Sequence, residues 1–158
     1  MRNIIALILC LFINNTAQTQ NYWQQNADYK INVDVNANNN TYKGNQEIKY
    51  TNNSRDTLNK IFFHLYFNAF KVGSDMAVRL KNGDDINTRF DVDISELKAD
   101  EEGFLDVTNL KQDDLKVETY LSDTILEVTL AKPLKPGDSS IFTMDFNGQV
   151  PITIRRAG

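Results

Sequence analysis

Between Tyr29 and Val35 every second residue is apolar: Tyr29, Ile31, Val33 and Val35 alternate with Lys30, Asn32 and Asp34. A period of two belongs to an extended strand with one buried and one wet face, and such a face needs a second layer to cover it. The same grammar recurs over Tyr42 to Thr51, with Gly44 as a candidate bulge, over Leu115 to Tyr120, over Thr124 to Leu130 with Ile125 and Val128, and over Ser140 to Val150, where Phe142, Met144 and Phe146 share a face. Turn chemistry separates these runs. Asn36 to Thr41 and Asn52 to Asp56 are rich in residues that bond their own backbone, and Lys132 to Asp138 places Pro136 before Gly137. With no internal repeat and no sustained helical periodicity, the fold class predicted is all-β: a β-sandwich of antiparallel strands.

The most hydrophobic stretch, Thr57 to Phe70, holds Leu58, Ile61, Phe62, Phe63, Leu65, Tyr66, Phe67 and Phe70. Apolar residues at adjacent positions predict a central strand buried on both faces. From Lys71 to Asp114 the pattern is lost among Gly73, Gly83, Gly103 and many Asp and Asn residues. Two apolar pieces remain there, Met76 to Leu80 and Phe104 to Leu110, so a long irregular excursion with at most one short helix is expected.

The first residues follow a different rule. Arg2 precedes an uncharged run from Ile4 to Ile13, too short for the roughly 20 apolar residues that cross a bilayer but suited to a signal peptide. Cleavage after Ala17 gives a signal peptide over 1–17 and a domain over 18–158, with export to the periplasm or the exterior and no membrane anchor. Cys10, the sole cysteine, falls inside that leader, and Leu9 before it is too large for a lipoprotein site. The mature chain therefore has neither a disulfide nor a thiolate, and its stability rests on a packed core. With 17 basic and 21 acidic residues, a net charge of −4 and no basic run longer than Arg155-Arg156, nucleic acid is not a partner the composition favours.

Chemistry is scarce. His64 is the only histidine and lies between Phe63 and Leu65, where a structural role is the expectation over a Ser-His-Asp triad. One histidine without cysteine cannot supply the usual zinc sets. Asp91 to Glu102 spaces its oxygens like a calcium loop, but Glu96 stands where such a loop needs glycine, so a solvated acidic loop is expected. Asp84-Asp85, Glu101-Glu102 and Asp113-Asp114 read as solubilising charge, and Arg155-Arg156 as an exposed or domain-contacting pair. Tyr22 and Trp23 are expected to pin the N-terminal segment to the domain, and Asn39 and Asn52 begin glycosylation sequons. No catalytic, cofactor-binding or metal residue is assigned.

Several segments taken together are familiar. Tyr22-Trp23-Gln24-Gln25, Asp28-Tyr29-Lys30-Ile31, Tyr42-Lys43-Gly44 and Tyr50-Thr51-Asn52-Asn53-Ser54 precede the most specific run, Leu58-Asn59-Lys60-Ile61-Phe62-Phe63-His64-Leu65-Tyr66-Phe67-Asn68-Ala69-Phe70. With Leu130 to Gly137 and Val150-Pro151-Ile152, they resemble the start of secreted bacterial zinc aminopeptidases of the aminopeptidase N type. The resemblance implies a saddle-like N-terminal β-sandwich, truncated at its C-terminal end, that walls the cleft of a catalytic domain absent from this chain. It also implies that zinc and peptide substrate are met only through that absent domain, whose H-E-x-x-H motif has no counterpart here. The alternatives are a free-standing exported binding or adaptor sandwich and, more remotely, a hydrolase built on His64.

Overall fold

The computed structural model describes residues 22–82 and 93–152. Eight strands form two antiparallel sheets: β1 (Asn26–Asn36), β2 (Thr41–Thr51), β3 (Leu58–His64), β4 (Phe104–Gln112), β5 (Leu115–Lys116), β6 (Glu118–Ser122), β7 (Ile125–Leu134) and β8 (Ser139–Gln149). One sheet has five strands in the order β1-β2-β8-β4-β5, and the other has three in the order β3-β7-β6. This is an all-β sandwich. The signal peptide segment 1–17 lies outside the described residues.

The core fills the space between the sheets. Ile48 from β2, Phe142 and Met144 from β8, and Leu126, Val128 and Leu130 from β7 are buried, with Ile61 and Phe63 of β3 packed against them. Burying each such side chain contributes roughly 1.5–3 kcal/mol. Polar residues inside are bonded. Gln112 in β4 donates to the Lys132 carbonyl at 2.9 Å and accepts from the Lys132 N–H at 3.1 Å, tying the sheets together across the core.

Where the structure departs from the sequence expectations, the reasons are physical. The run from Thr57 to Phe70 is not a central strand buried on both faces. β3 ends at His64 and is an edge strand, and the chain then winds into a 3-10 turn over Tyr66–Phe70. Adjacent apolar residues arise because two structures share the run: Ile61 and Phe63 face inward from the strand, while Leu65, Phe67 and Phe70 face inward from the turn. Phe104 to Leu110 belongs to strand β4 rather than to the excursion, whose described residues contain one helix, α1 (Asp75–Asn82), and a 3-10 turn at Ile94–Glu96. Ser74 caps α1, its hydroxyl accepting the Ala77 N–H at 3.1 Å, and Ala77, Ile94 and Leu97 form a second small core.

Leu115 to Tyr120 also divides in two. β5 pairs with β4 in the large sheet, β6 pairs with β7 in the small one, and buried Val117 marks where the chain changes sheets. β7 runs four residues past Leu130, to Leu134, before turning at Gly137, whose φ of 82° suits glycine. Gly44 is not a bulge, because the β1·β2 register is continuous through Val33↔Gly44. It is glycine because a Cβ there would lie 2.1 Å from the Asn32 carbonyl oxygen.

The largest departure concerns β1. Tyr29, Ile31, Val33 and Val35 do share one face, but they are 58%, 54%, 52% and 70% exposed. Tyr29 pairs with Ile48 of β2, itself 2% exposed, so the row faces the inner side of the sheet. The three-stranded sheet is too narrow to cover it, and β1 overhangs.

Candidate functional site

His64 is neither mid-strand nor buried. It is the last, exposed residue of β3, and its ring lies over that of Tyr66 with centroids 3.8 Å apart. Beyond it opens a cleft of about 670 Å³ bordered by Tyr42, Phe67, Phe70, Asp123 and Thr124. Tyr42 forms its floor, packed edge-on to Phe67 at 6.2 Å and beside Phe146 at 6.2 Å. Burial pushes the Tyr42 hydroxyl up to about 12, because the phenolate loses its solvation there. Asp123 does not serve His64: its carboxylate accepts the Asp75 N–H at 3.1 Å, at the start of α1. The cleft is thus an apolar aromatic recess with one imidazole at its lip, and it lacks the hydrogen-bonded nucleophile, base and orienting acid that acyl transfer needs.

The other candidates are structural where they are described. Asp93 accepts from the Ser95 N–H at 2.8 Å and hydroxyl at 2.7 Å, bonds that hold its carboxyl below the usual range. Glu101 accepts the Lys98 N–H, so these oxygens close turns instead of converging on a cation. Asp113 accepts from the Ser140 hydroxyl at 2.6 Å and the Ile141 N–H at 2.8 Å, fixing the turn that Asp113 and Asp114 make at positive φ. Asp84, Asp85, Asp91, Arg155 and Arg156 lie outside the described residues. Among the described residues no three His, Cys, Asp or Glu side chains converge as a metal site requires.

Tyr22 and Trp23 do not pin the N-terminal segment. They are 88% and 48% exposed, and the fastening is polar: the Asn53 N–H donates to Gln25 Oε1 at 2.8 Å, and Asn53 Nδ2 to the Gln24 carbonyl at 2.9 Å. Asn52 is no glycan acceptor. Its side chain is fully buried, donating to the Asp56 and Leu134 carbonyls at 2.8 and 2.9 Å and accepting from the Ser54 N–H and hydroxyl. Asn39 remains exposed, bonded to the Thr41 hydroxyl at 2.7 Å.

Sequence reasoning missed the second surface feature, a groove of about 400 Å³ between the overhanging row of β1 and the edge of β3. Tyr29 and Ile31 line one side, Phe62, Phe63 and His64 the other, with Met144 and Phe146 at its base, and among the described residues no Asp, Glu, Lys or Arg borders it. The alternation of β1 announced an apolar face, but only the width of the opposing sheet leaves that face open.

Comparison with solved structures finds this architecture elsewhere. A two-domain M1 zinc metallopeptidase bound to L-tryptophan superposes with a TM-score of 0.50 over 84% of this chain and 23% of its own, at 14% identity. The same enzyme type bound to L-arginine gives 0.50 over 82% and 22%, also at 14% identity. This chain shares the fold of part of an M1 zinc metallopeptidase. It spans less than a quarter of the length of those enzymes. An M1 zinc metallopeptidase from Deinococcus radiodurans is similar at 15% identity, with a TM-score of 0.48, over 80% of this chain and 23% of its own. No family model matches, and no curated protein matches.

Proposed function

We propose that this chain is the non-catalytic N-terminal β-sandwich of an exported aminopeptidase N-type zinc metallopeptidase, which packs on a catalytic unit encoded beyond Gly158 and helps wall its cleft. The observation that carries this reading is the lopsided match: 84% of this chain lies on 23% of a metallopeptidase that binds an amino acid. The residues agree with it. His64 has an aromatic ring for its partner, no metal set is assembled among the described residues, and the apolar row of β1 stands open where a self-sufficient adaptor would present a polar surface. Zinc, its ligands and the peptide's reacting bond belong in this reading to the catalytic unit, and this domain supplies shape.

Sequencing the gene past the Gly158 codon tests the proposal. A continuing frame with H-E-x-x-H and a later glutamate is expected, and the polypeptide from that frame should release the N-terminal residue of an aminoacyl p-nitroanilide. A stop codon at that position, or a continuing frame without a zinc motif, overturns it.

A further inference from the structure

We propose that the free edge of β3 and the overhanging row of β1 form a seat for one further β-strand, an extended segment with apolar side chains at alternate positions. Its source, the polypeptide that follows Gly158, rests on the function proposed above, whereas its chemistry follows from the groove itself. Three features converge there.

The first is backbone. The Leu65 N–H donates to the Thr124 carbonyl at 2.7 Å, and the β3·β7 register runs unbroken from His64↔Ile125 to Lys60↔Thr129. Hydrogen-bonded and non-bonded positions alternate along an antiparallel pair, so Ile61 and Phe63 spend their backbone groups on β7. The N–H and C=O groups of Phe62 and His64 therefore point out over the groove, donors and acceptors unpaired among the described residues that template another strand.

The second is apolar surface. Tyr29 and Ile31, 58% and 54% exposed, border the groove beside β3 where a further strand would lie, since face-packed sheets stand about 10 Å apart. Phe62 and Tyr66, 61% and 68% exposed, flank it. These four side chains are each more than half exposed on one groove, an apolar surface of the kind that marks an interaction site.

The third is charge. Among the described residues its walls carry no carboxylate, lysine or arginine and one imidazole, His64, so the groove suits the apolar face of a strand, while Lys30 and Asp34 point to the opposite face of the sheet. A strand seated on β3 satisfies the edge and covers the row in one step.

Two probes test this. A phage library of random 12-residue peptides is panned on the chain, and overlapping 15-residue peptides covering the polypeptide encoded after Gly158 are titrated against it. Binders should carry apolar residues at alternate positions and lose at least tenfold in affinity in two variants. Ile31→Lys places a charge under the strand. Phe62→Pro removes an outward N–H without touching the β3·β7 pairing, a substitution edge strands tolerate. Circular dichroism checks that both variants stay folded. Binders without alternation, binding indifferent to Phe62→Pro, the absence of any binder, or a dimer dissociated by Ile31→Lys each overturn the proposal, the last by making a second copy the occupant. If library binders behave as expected and no encoded 15-residue peptide binds, the assigned source is overturned and the strand chemistry stands. The peptidase reading fails separately, on the gene sequence alone.

Discussion

Replacing Asn52 by alanine should cost this domain more than any other single polar change in it. Asn52 is fully buried at the junction of β2 with the loop to β3, and its amide is bonded on both sides. Nδ2 donates to the carbonyls of Asp56 and Leu134, 2.8 and 2.9 Å away, and Oδ1 accepts from the Ser54 N–H at 3.0 Å and hydroxyl at 2.6 Å. Its backbone joins in, the N–H donating to the Asp138 carbonyl and the carbonyl accepting from Gly137, so the β2–β3 loop and the β7–β8 turn meet on this residue. Alanine keeps the backbone bonds and abolishes the rest. Each buried group left without a partner costs about 1–3 kcal/mol; with two or three such groups and partial relaxation the loss is about 3–4 kcal/mol. For a domain of this size that lowers Tm by roughly 10–15 °C. Thermal unfolding followed by circular dichroism reads it directly. A shift under about 3 °C would refute the reasoning, since it would mean that water or an alternative partner satisfies the Leu134 and Asp56 carbonyls. Asn52→Asp separates shape from hydrogen bonding: it preserves volume but turns the donor into a carboxylate, and should destabilise at least as much at neutral pH.

Other positions give independent checks. Gly44→Ala should destabilise severely or prevent folding, because its Cβ would meet the Asn32 carbonyl oxygen at 2.1 Å and the Phe146 ring at 2.7 Å, whereas Gly73→Ala, at φ 80° with open space around it, should cost only about 1 kcal/mol in a denaturant titration. Tyr42 should resist ionisation until about pH 12 in a spectrophotometric titration. Its pKa is raised in the folded state above the unfolded value near 10, so its contribution to stability is complete below pH 10 and is lost as pH rises from there toward 12; a Tyr42 titrating near 10 in the folded protein would contradict its burial. His64→Gln should leave Tm within about 2 °C of the parent and, on the function proposed above, leave the activity of the longer polypeptide unchanged; a loss of activity at constant stability would restore a chemical role to the imidazole.

Much of the fold was legible before any coordinates. The alternation in β1, β2 and β8 and the Asn, Pro and Gly turns between them locate the strands, because side-chain period and turn conformation are local properties of the chain. The run from Thr57 to Phe70 was misread because a strand and a following 3-10 turn, each amphipathic, add up to unbroken hydrophobicity when written end to end. Phe104 to Leu110 was left in the excursion because its pairing with β8 spans more than thirty residues and shifts register between Thr108 and Lys111, which no local pattern announces. The buried role of Asn52 was likewise hidden, since an Asn-rich turn looks the same whether it faces solvent or receives a carbonyl from Leu134.

By itself the sequence determined the class of the fold and the apolar face of its first strand, both consequences of residue type and spacing. Only the tertiary structure decided that this face stays open, because burial depends on what stands opposite, and opposite β1 the three-stranded sheet has already ended at β3.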